Sequence, residues 1–309
     1  SLIVIDIRET ELTRYANIWL RPKPGSEGIL VGGIIHVIFE ESLDDHDFLV
    51  DNCDGLQEFK NSQWLFDLVK VSKLTGVSQQ EIRAAARMFA KGKSSAILYA
   101  LETVPYPSRE SCVKGLVNLA LVTGNVGKPS TGLYPLYRGA NEQGMKDVGC
   151  DPDYLPGYKF ISDDNSREFF STKWGSEPPL IKGIRIKDIS EAIMSGRVKS
   201  LMIVGDSPNF TNGELPGFVD ALKELEFLVV QGVFLSVITD LADVVLPSAT
   251  FAEKAGTYTN IERRVQLAHP ALGPKGDEDA DWRIISQIAT RMGAKGFNEY
   301  EESGVFQEI

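Results

Sequence analysis

Short apolar runs that alternate with stretches of helical spacing constrain this chain most. Residues 2–6 (LIVID), 95–101 (SAILYAL), 200–205 (SLMIVG), 227–231 (FLVVQ) and 244–247 (VVLP) are such runs. They are too short for helices and do not alternate apolar with polar, as a half-solvated strand would. A strand buried on both faces reads this way, and helices on those faces come from the intervening stretches. The expectation is α/β architecture with parallel strands, not a β-sandwich or a helical bundle.

The helical stretches carry their own boundary signals. Residues 26–42 form an apolar helix with Ser26 at its N-cap, and Gly32-Gly33 either weakens it or admits a close neighbour. Ser78-Gln79-Gln80-Glu81 is a capping box ahead of IRAAARMFA, and Gly92 stands where a helix would stop. Further helices are expected at 112–123, 185–195, 218–225 and 281–292. Residues 130–179 are rich in Gly, Pro, Asp and Tyr and show no period, so they read as a long irregular connection. Residues 294–309 have no evident partner. Residues 249–266 read as a buried strand running into a polar loop.

Composition removes several function classes. The formal net charge is −11, the wrong sign for a nucleic-acid surface. No apolar run reaches the ~18–20 residues of a membrane span. Cys53, Cys112 and Cys150 are odd in number, far apart and without a CxxC. A disulfide framework, a zinc site or an iron–sulfur cluster is therefore not expected in this chain. A reducing cytoplasmic setting follows, with any membrane association made through partners.

In open α/β sheets, ligands bind beyond the carboxyl ends of the strands. Asp6, Glu102, Gly205-Asp206-Ser207-Pro208-Asn209 and Gln231 occupy such ends. A carboxylate there can accept two hydrogen bonds from a ribose diol or a guanine edge, and Gly205 permits close backbone approach. The same residue types also make ordinary turns, so nucleotide contact and plain turn chemistry both fit. GxGxxG and GxxxxGK[ST] are absent; Gly92-Lys93-Ser94 lacks the earlier glycine. The chain shows no Ser/His/Asp arrangement, and His36 reads as a packing residue.

Residues 249–266 (ATFAEKAGTYTNIERRVQ) resemble a signature of the large subunits of molybdopterin-dependent oxidoreductases. Formate dehydrogenases and the large iron–sulfur subunit of NADH-quinone oxidoreductase carry close relatives of it. Further strings follow in the family's order: LIVIDIRETE, GVSQQEIRAAARMFA, LVTGNVGKPSTG, ANEQGMKDVGCDPDYLPGY, MIVGDSPN, LADVVLP and DWRIISQIATRMG. The resemblance spans residues 2–293. It implies two Rossmann-like doubly wound domains, at 1–137 and 138–309, the second including the 130–179 connection. It also implies a cofactor of molybdenum or tungsten held by two pterin guanine dinucleotides. Asp6 and Arg8 would then belong to one guanine pocket and Gly205, Asp206, Asn209 and Gln231 to the other, with Gln143 near the pterin. Its partners would be the rest of its own large subunit and iron–sulfur electron-transfer subunits. The chain starts inside a strand without a Met, so a piece of a longer polypeptide is expected. A first domain lacking strands would expose a sheet edge, leading to self-association or to cover by residues 130–179.

The departures from the family are specific. Arg138-Gly139-Ala140-Asn141-Glu142 precedes Gln143 where formate dehydrogenases have Arg-Gly-Gln-Asn-Asn before Gln-Gly, so Arg138 does not map cleanly onto the substrate-side Arg. Ala100-Leu101-Glu102 replaces a Gly-x-Gly, Gly232 replaces an Asp, and Ser236-Val237-Ile238 replaces Thr-Glu-Thr. The metal-ligating Cys or selenocysteine of the family is not in this chain. Two expectations follow: the central part of a formate-dehydrogenase-like subunit, inactive alone, or a cofactor-free scaffold of the complex I type.

Overall fold

A computed structural model describes residues 1–100, 106–137, 139–205, 215, 217–297 and 302–308. The chain divides into two compact units, Ser1–Arg138 and Gly139–Ile309.

The first unit is built around one apolar helix. Its elements are β1 (Ile3–Ile5), α1 (Glu11–Tyr15), β2 (Ile18–Leu20), α2 (Glu27–Glu40), α3 (His46–Asn52), α4 (Leu56–Ser62), α5 (Leu68–Thr75), α6 (Gln79–Ala90), β3 (Ala96–Tyr99), α7 (Tyr106–Val122) and β4 (Gly132–Pro135). A helix that is apolar around most of its circumference must be covered on several sides, and α2 packs against α5, α6 and α7. Leu30, Val31, Ile34, Ile35, Val37 and Ile38 of α2 are buried with Val71, Ile82, Ala85, Leu119 and Val122. Gly32 and Gly33 permit this close packing: a Cβ on Gly32 would lie 2.3 Å from the Phe66 ring, and one on Gly33 2.7 Å from Val71 Cγ1. Ser26 is the N-cap residue of α2, but its hydroxyl donates back to the Lys23 carbonyl (2.6 Å) instead of capping the helix. The capping box of α6 is formed as expected: Ser78 Oγ accepts from Glu81 N (3.2 Å), and Glu81 Oε2 accepts from Ser78 N (3.0 Å).

Two parallel pairs serve this unit, β1 with β2 and β3 with β4. In the second unit β7 (Ser200–Val204), β8 (Phe227–Gly232) and β9 (Val244–Pro247) form a three-stranded parallel sheet with β8 central. Helices α10 (Ile189–Met194) and α11 (Phe218–Leu222) pack on it, burying Ile193, Phe218, Leu222, Leu228 and Val230. Parallel strands with helices therefore occur in both units as expected, but the expected burial on both faces is met only by β8; β3, β7 and β9 leave several residues exposed.

Three segments differ from the sequence reading. Residues 130–179 are not one irregular connection. They contain β4, α8 (Glu142–Asp147), the short antiparallel pair β5 (Tyr154–Leu155) and β6 (Lys159–Phe160), and α9 (Asp164–Trp174). Asp163 caps α9 through Ser166 N, and Gly175 ends it at φ +66°. Leu155, Ile161 and Phe170 form its small core. Residues 249–266 fold mainly as an antiparallel hairpin, a half-buried β10 (Gly256–Thr259) with a largely exposed β11 (Val265–Ala268). Helix α12 (Asp281–Arg291) falls where expected, and residues 302–308 form α13 (Glu302–Glu308) within the stretch that shows no evident partner in sequence.

Candidate functional site

The carboxyl edge of the three-stranded sheet brings two of the expected residues together. Gly205 ends β7 and donates its N–H to the Gln231 carbonyl on β8 (2.8 Å). Gly205 takes φ +77°, with open space where a Cβ would stand. A side chain there would be strained by the backbone and would fill the opening. Asp206 and Asn209 lie outside the described residues, as do Arg138 and Glu102.

Gln231 is fully buried. Its Nε2 donates to Asp281 Oδ1 (2.9 Å), the same oxygen that accepts from Ser248 Oγ (2.8 Å). Lys254 Nζ pairs with the other oxygen of Asp281. Asp281 opens α12, Ser248 follows β9, and Lys254 sits in the turn before β10. Burial works to raise the Asp281 pKa, but hydrogen bonds from Lys254, Ser248 and Gln231 outweigh it and hold the carboxyl below its usual range. Among the described residues, Gln231 Oε1 is buried with no hydrogen-bond partner, and so is Trp282 Nε1, next along α12. Such buried groups are rare and call for an explanation.

Gln143, on α8, is the centre of a second cluster in this unit. Its Nε2 donates to Asp147 Oδ1 (2.8 Å) and to Tyr158 Oη (2.7 Å). The Arg263 guanidinium lies 5.5 Å from the centre of the Tyr158 ring and 3.9 Å from Asp147 Oδ1. Tyr158 and Arg263 both adopt positive φ, +59° and +60°, an uncommon conformation for such residues. Asn141 Oδ1 accepts from Thr259 N (2.8 Å) and so fastens the start of α8 to the hairpin. Through Arg263, the ERR stretch of the sequence signature thus meets Asp147 and Tyr158, the two residues that hold Gln143.

In the first unit, Asp6 follows β1. Its Oδ1 accepts from Arg8 N (2.8 Å), closing a tight turn, and its carbonyl accepts from Trp19 Nε1 (2.9 Å). The Arg8 residue is exposed. Glu27, in the first turn of α2, has one buried carboxylate oxygen without a partner. Burial, followed by the Glu27 charge, pushes the Cys112 thiol up. Sequence reasoning missed Glu27, Lys254, Asp281, Asp147 and Tyr158, while Arg263 lies in the ERR run of the signature. Of the missed residues, Glu27 and Asp281 carried a signal, each as an acid in the first turn of an expected helix.

Among the described residues, no group of three or more His, Cys, Asp or Glu side chains is placed to hold a metal ion, and no helix is long and apolar enough to cross a membrane. A cleft of about 330 Å³ lies along α9, lined by Asp164, Arg167 and Glu168 among others, and includes none of the expected site residues.

Comparison with known proteins places these observations in a family. The profile described as Molybdopterin oxidoreductase matches residues 1–291. Formate dehydrogenase H of Escherichia coli K12 is 38% identical over 294 residues, covering 95% of this chain and 41% of that protein. The F420-dependent formate dehydrogenase 1 subunit alpha of Methanococcus maripaludis is 35% identical, covering 100% of this chain and 46% of its own. The assimilatory nitrate reductase catalytic subunit of Bacillus subtilis is 32% identical, with 99% and 44% covered. The chain therefore spans less than half the length of these relatives. Among solved structures, acetylene hydratase from Pelobacter acetylenicus superposes with a TM-score of 0.70 at 21% identity, covering 96% of this chain and 44% of that one, a likeness of fold.

Proposed function

Since this chain belongs to the molybdopterin oxidoreductase family, we propose that it is the central, cofactor-cradling part of a formate-dehydrogenase-like large subunit. In this reading the two compact units are two Rossmann-like domains, each receiving one nucleotide tail of a bis(molybdopterin guanine dinucleotide) cofactor carrying molybdenum or tungsten. The observation that carries it is the carboxyl edge of the β7–β8–β9 sheet. There a left-handed glycine with open space stands beside a fully buried glutamine whose carbonyl oxygen has no donor. Dinucleotide tails lie at such edges, and a guanine offers the N–H groups that the carbonyl lacks.

When bound, the cofactor supplies two-electron oxidation or reduction at its metal ion. This chain's residues bind and orient. Gly205 keeps the sheet edge open, and Asp206 and Asn209, which follow it in sequence, supply polar groups. Gln231 accepts an N–H. Asp6, with its turn to Arg8, serves the corresponding strand end of the first unit. Gln143, held by Asp147 and Tyr158, serves the pterin side. Formate is the proposed substrate because formate dehydrogenases recur among the relatives that cover nearly all of this chain. The nitrate reductase relative makes nitrate the competing substrate. Electrons would leave through iron–sulfur partners.

A second reading rests on a specific observation. Gly232 stands where formate dehydrogenases carry an Asp, and Ser236 spends its hydroxyl on a local turn, accepting from Ile238 N (3.1 Å) and Thr239 N. Gly232 and Val237 thus offer no carboxylate where formate dehydrogenases carry Asp and Glu, which fits a cofactor-free scaffold of the complex I type.

Formate-dependent dye reduction tests the proposal. The full-length subunit should reduce a viologen dye with formate, and the 309-residue chain alone should not. Turnover by the isolated chain contradicts the cradle role. A cofactor-loaded subunit that reduces nitrate and ignores formate contradicts the substrate.

A further inference from the structure

Gln231 has one end fixed and one end free. Asp281 is ionised, and a carboxylate only accepts hydrogen bonds. The Gln231 amide must therefore present Nε2 to it, which leaves Oε1 on the other branch. Asp281 cannot easily turn away, because Ser248 Oγ holds the oxygen that Gln231 uses and Lys254 Nζ holds the other. Gln231 of β8, Ser248 after β9 and Lys254 in the turn before β10 thus converge on the carboxylate that opens α12. The polarity of the Gln231 side chain is set by this group and not by Gln231 itself. An unanchored amide can turn over and show either an acceptor or a donor.

The free end is the costly one. Gln231 is fully buried and its Oε1 has no partner. An unmet buried acceptor is destabilising, and Ser248 and Lys254 do not relieve it, since each is already engaged with the carboxylate.

We propose that Asp281 is a positioning residue, which with Ser248 and Lys254 locks the Gln231 amide so that its carbonyl accepts an N–H from the guanine of the bound dinucleotide. This rests on the cofactor reading above. Asp281 does not touch the nucleotide; it acts through Gln231. The same lock requires a base edge that presents an N–H, as guanine does at N1 and N2. An amide free to turn would lose that preference.

The test uses the full-length subunit carrying Asp281→Asn, Gln231→Met or both. The carboxamide introduced by Asp281→Asn can offer an N–H, so the Gln231 amide is no longer forced one way. Cofactor retention is read as acid-released GMP per folded chain over time in dilute urea, with the thermal midpoint followed separately. Each single variant should lose GMP about tenfold faster than wild type, the value of one hydrogen bond. The double variant should be no faster than either, because both changes remove one interaction. A purely structural hub would lower the midpoint and leave GMP loss unchanged. Wild-type retention in a folded Asp281→Asn protein, or additive losses in the double variant, overturns the positioning role while the cofactor reading stands. A wild-type subunit that releases no GMP overturns both.

Discussion

Asp281 shows how a single side chain can organise a sheet edge. Its carboxyl is held below its usual range against the opposing effect of burial, by Lys254, Ser248 and Gln231. A depressed folded-state pKa stabilises the protein above the unfolded-state value and loses that stability as pH falls through the folded value. The stability difference between wild type and Asp281→Asn should therefore be full at neutral pH and shrink below about pH 4. Urea unfolding across pH reads it, and a difference that grows on acidification would contradict the assigned sign. Local chemistry at Ser78 is simpler. Its hydroxyl accepts from Glu81 N, so Ser78→Ala should cost about 1 kcal/mol in the stability of the first unit, measured by chemical denaturation.

The α2 helix is the element on which the first unit is built. Gly32 is not there for flexibility: a Cβ would sit 2.3 Å from two atoms of the Phe66 ring. Alanine favours a helix over glycine by about 1 kcal/mol, yet overpacking costs about 1–3 kcal/mol. Since Phe66 itself packs on the core, Gly32→Ala should destabilise. A raised denaturation midpoint would show instead that the ring moves aside freely. Much of this element layer was legible. The apolar runs marked β7, β8 and β9, and the capping box marked α6 to its first residue, because those signals are local. Residues 130–179 were not legible. Most of their elements are only two to six residues long, too short for a period to show. Asp163 and Gly175 did bracket α9 with ordinary cap residues; those boundaries were there to be read. The strand-end rule picked out Gly205 and Gln231, which the sheet sets side by side. The partnership of Gln231 with Asp281, 50 residues away, comes from tertiary packing, which no local pattern records.

For the whole molecule, two compact units leave large apolar side chains in solvent. Phe234 is 80% exposed, Leu235 85%, Phe251 78% and Ile181 82%. Exposed groups of this size are normally covered by something. The 309-residue chain alone should therefore self-associate in a concentration-dependent way and bind a hydrophobic dye, despite its net charge of −11. Light scattering during size exclusion measures this, and a monomer at high concentration with no dye binding would contradict it. The central claim is that the sheet edge at Gly205 and Gln231 receives a guanine dinucleotide. The most direct test is the metal and nucleotide content of the full-length subunit, purified anaerobically from its native host and analysed by plasma mass spectrometry and acid release. The account predicts about one molybdenum or tungsten and about two GMP per chain. A subunit with its iron intact but with neither metal nor GMP would contradict it and leave the scaffold reading standing.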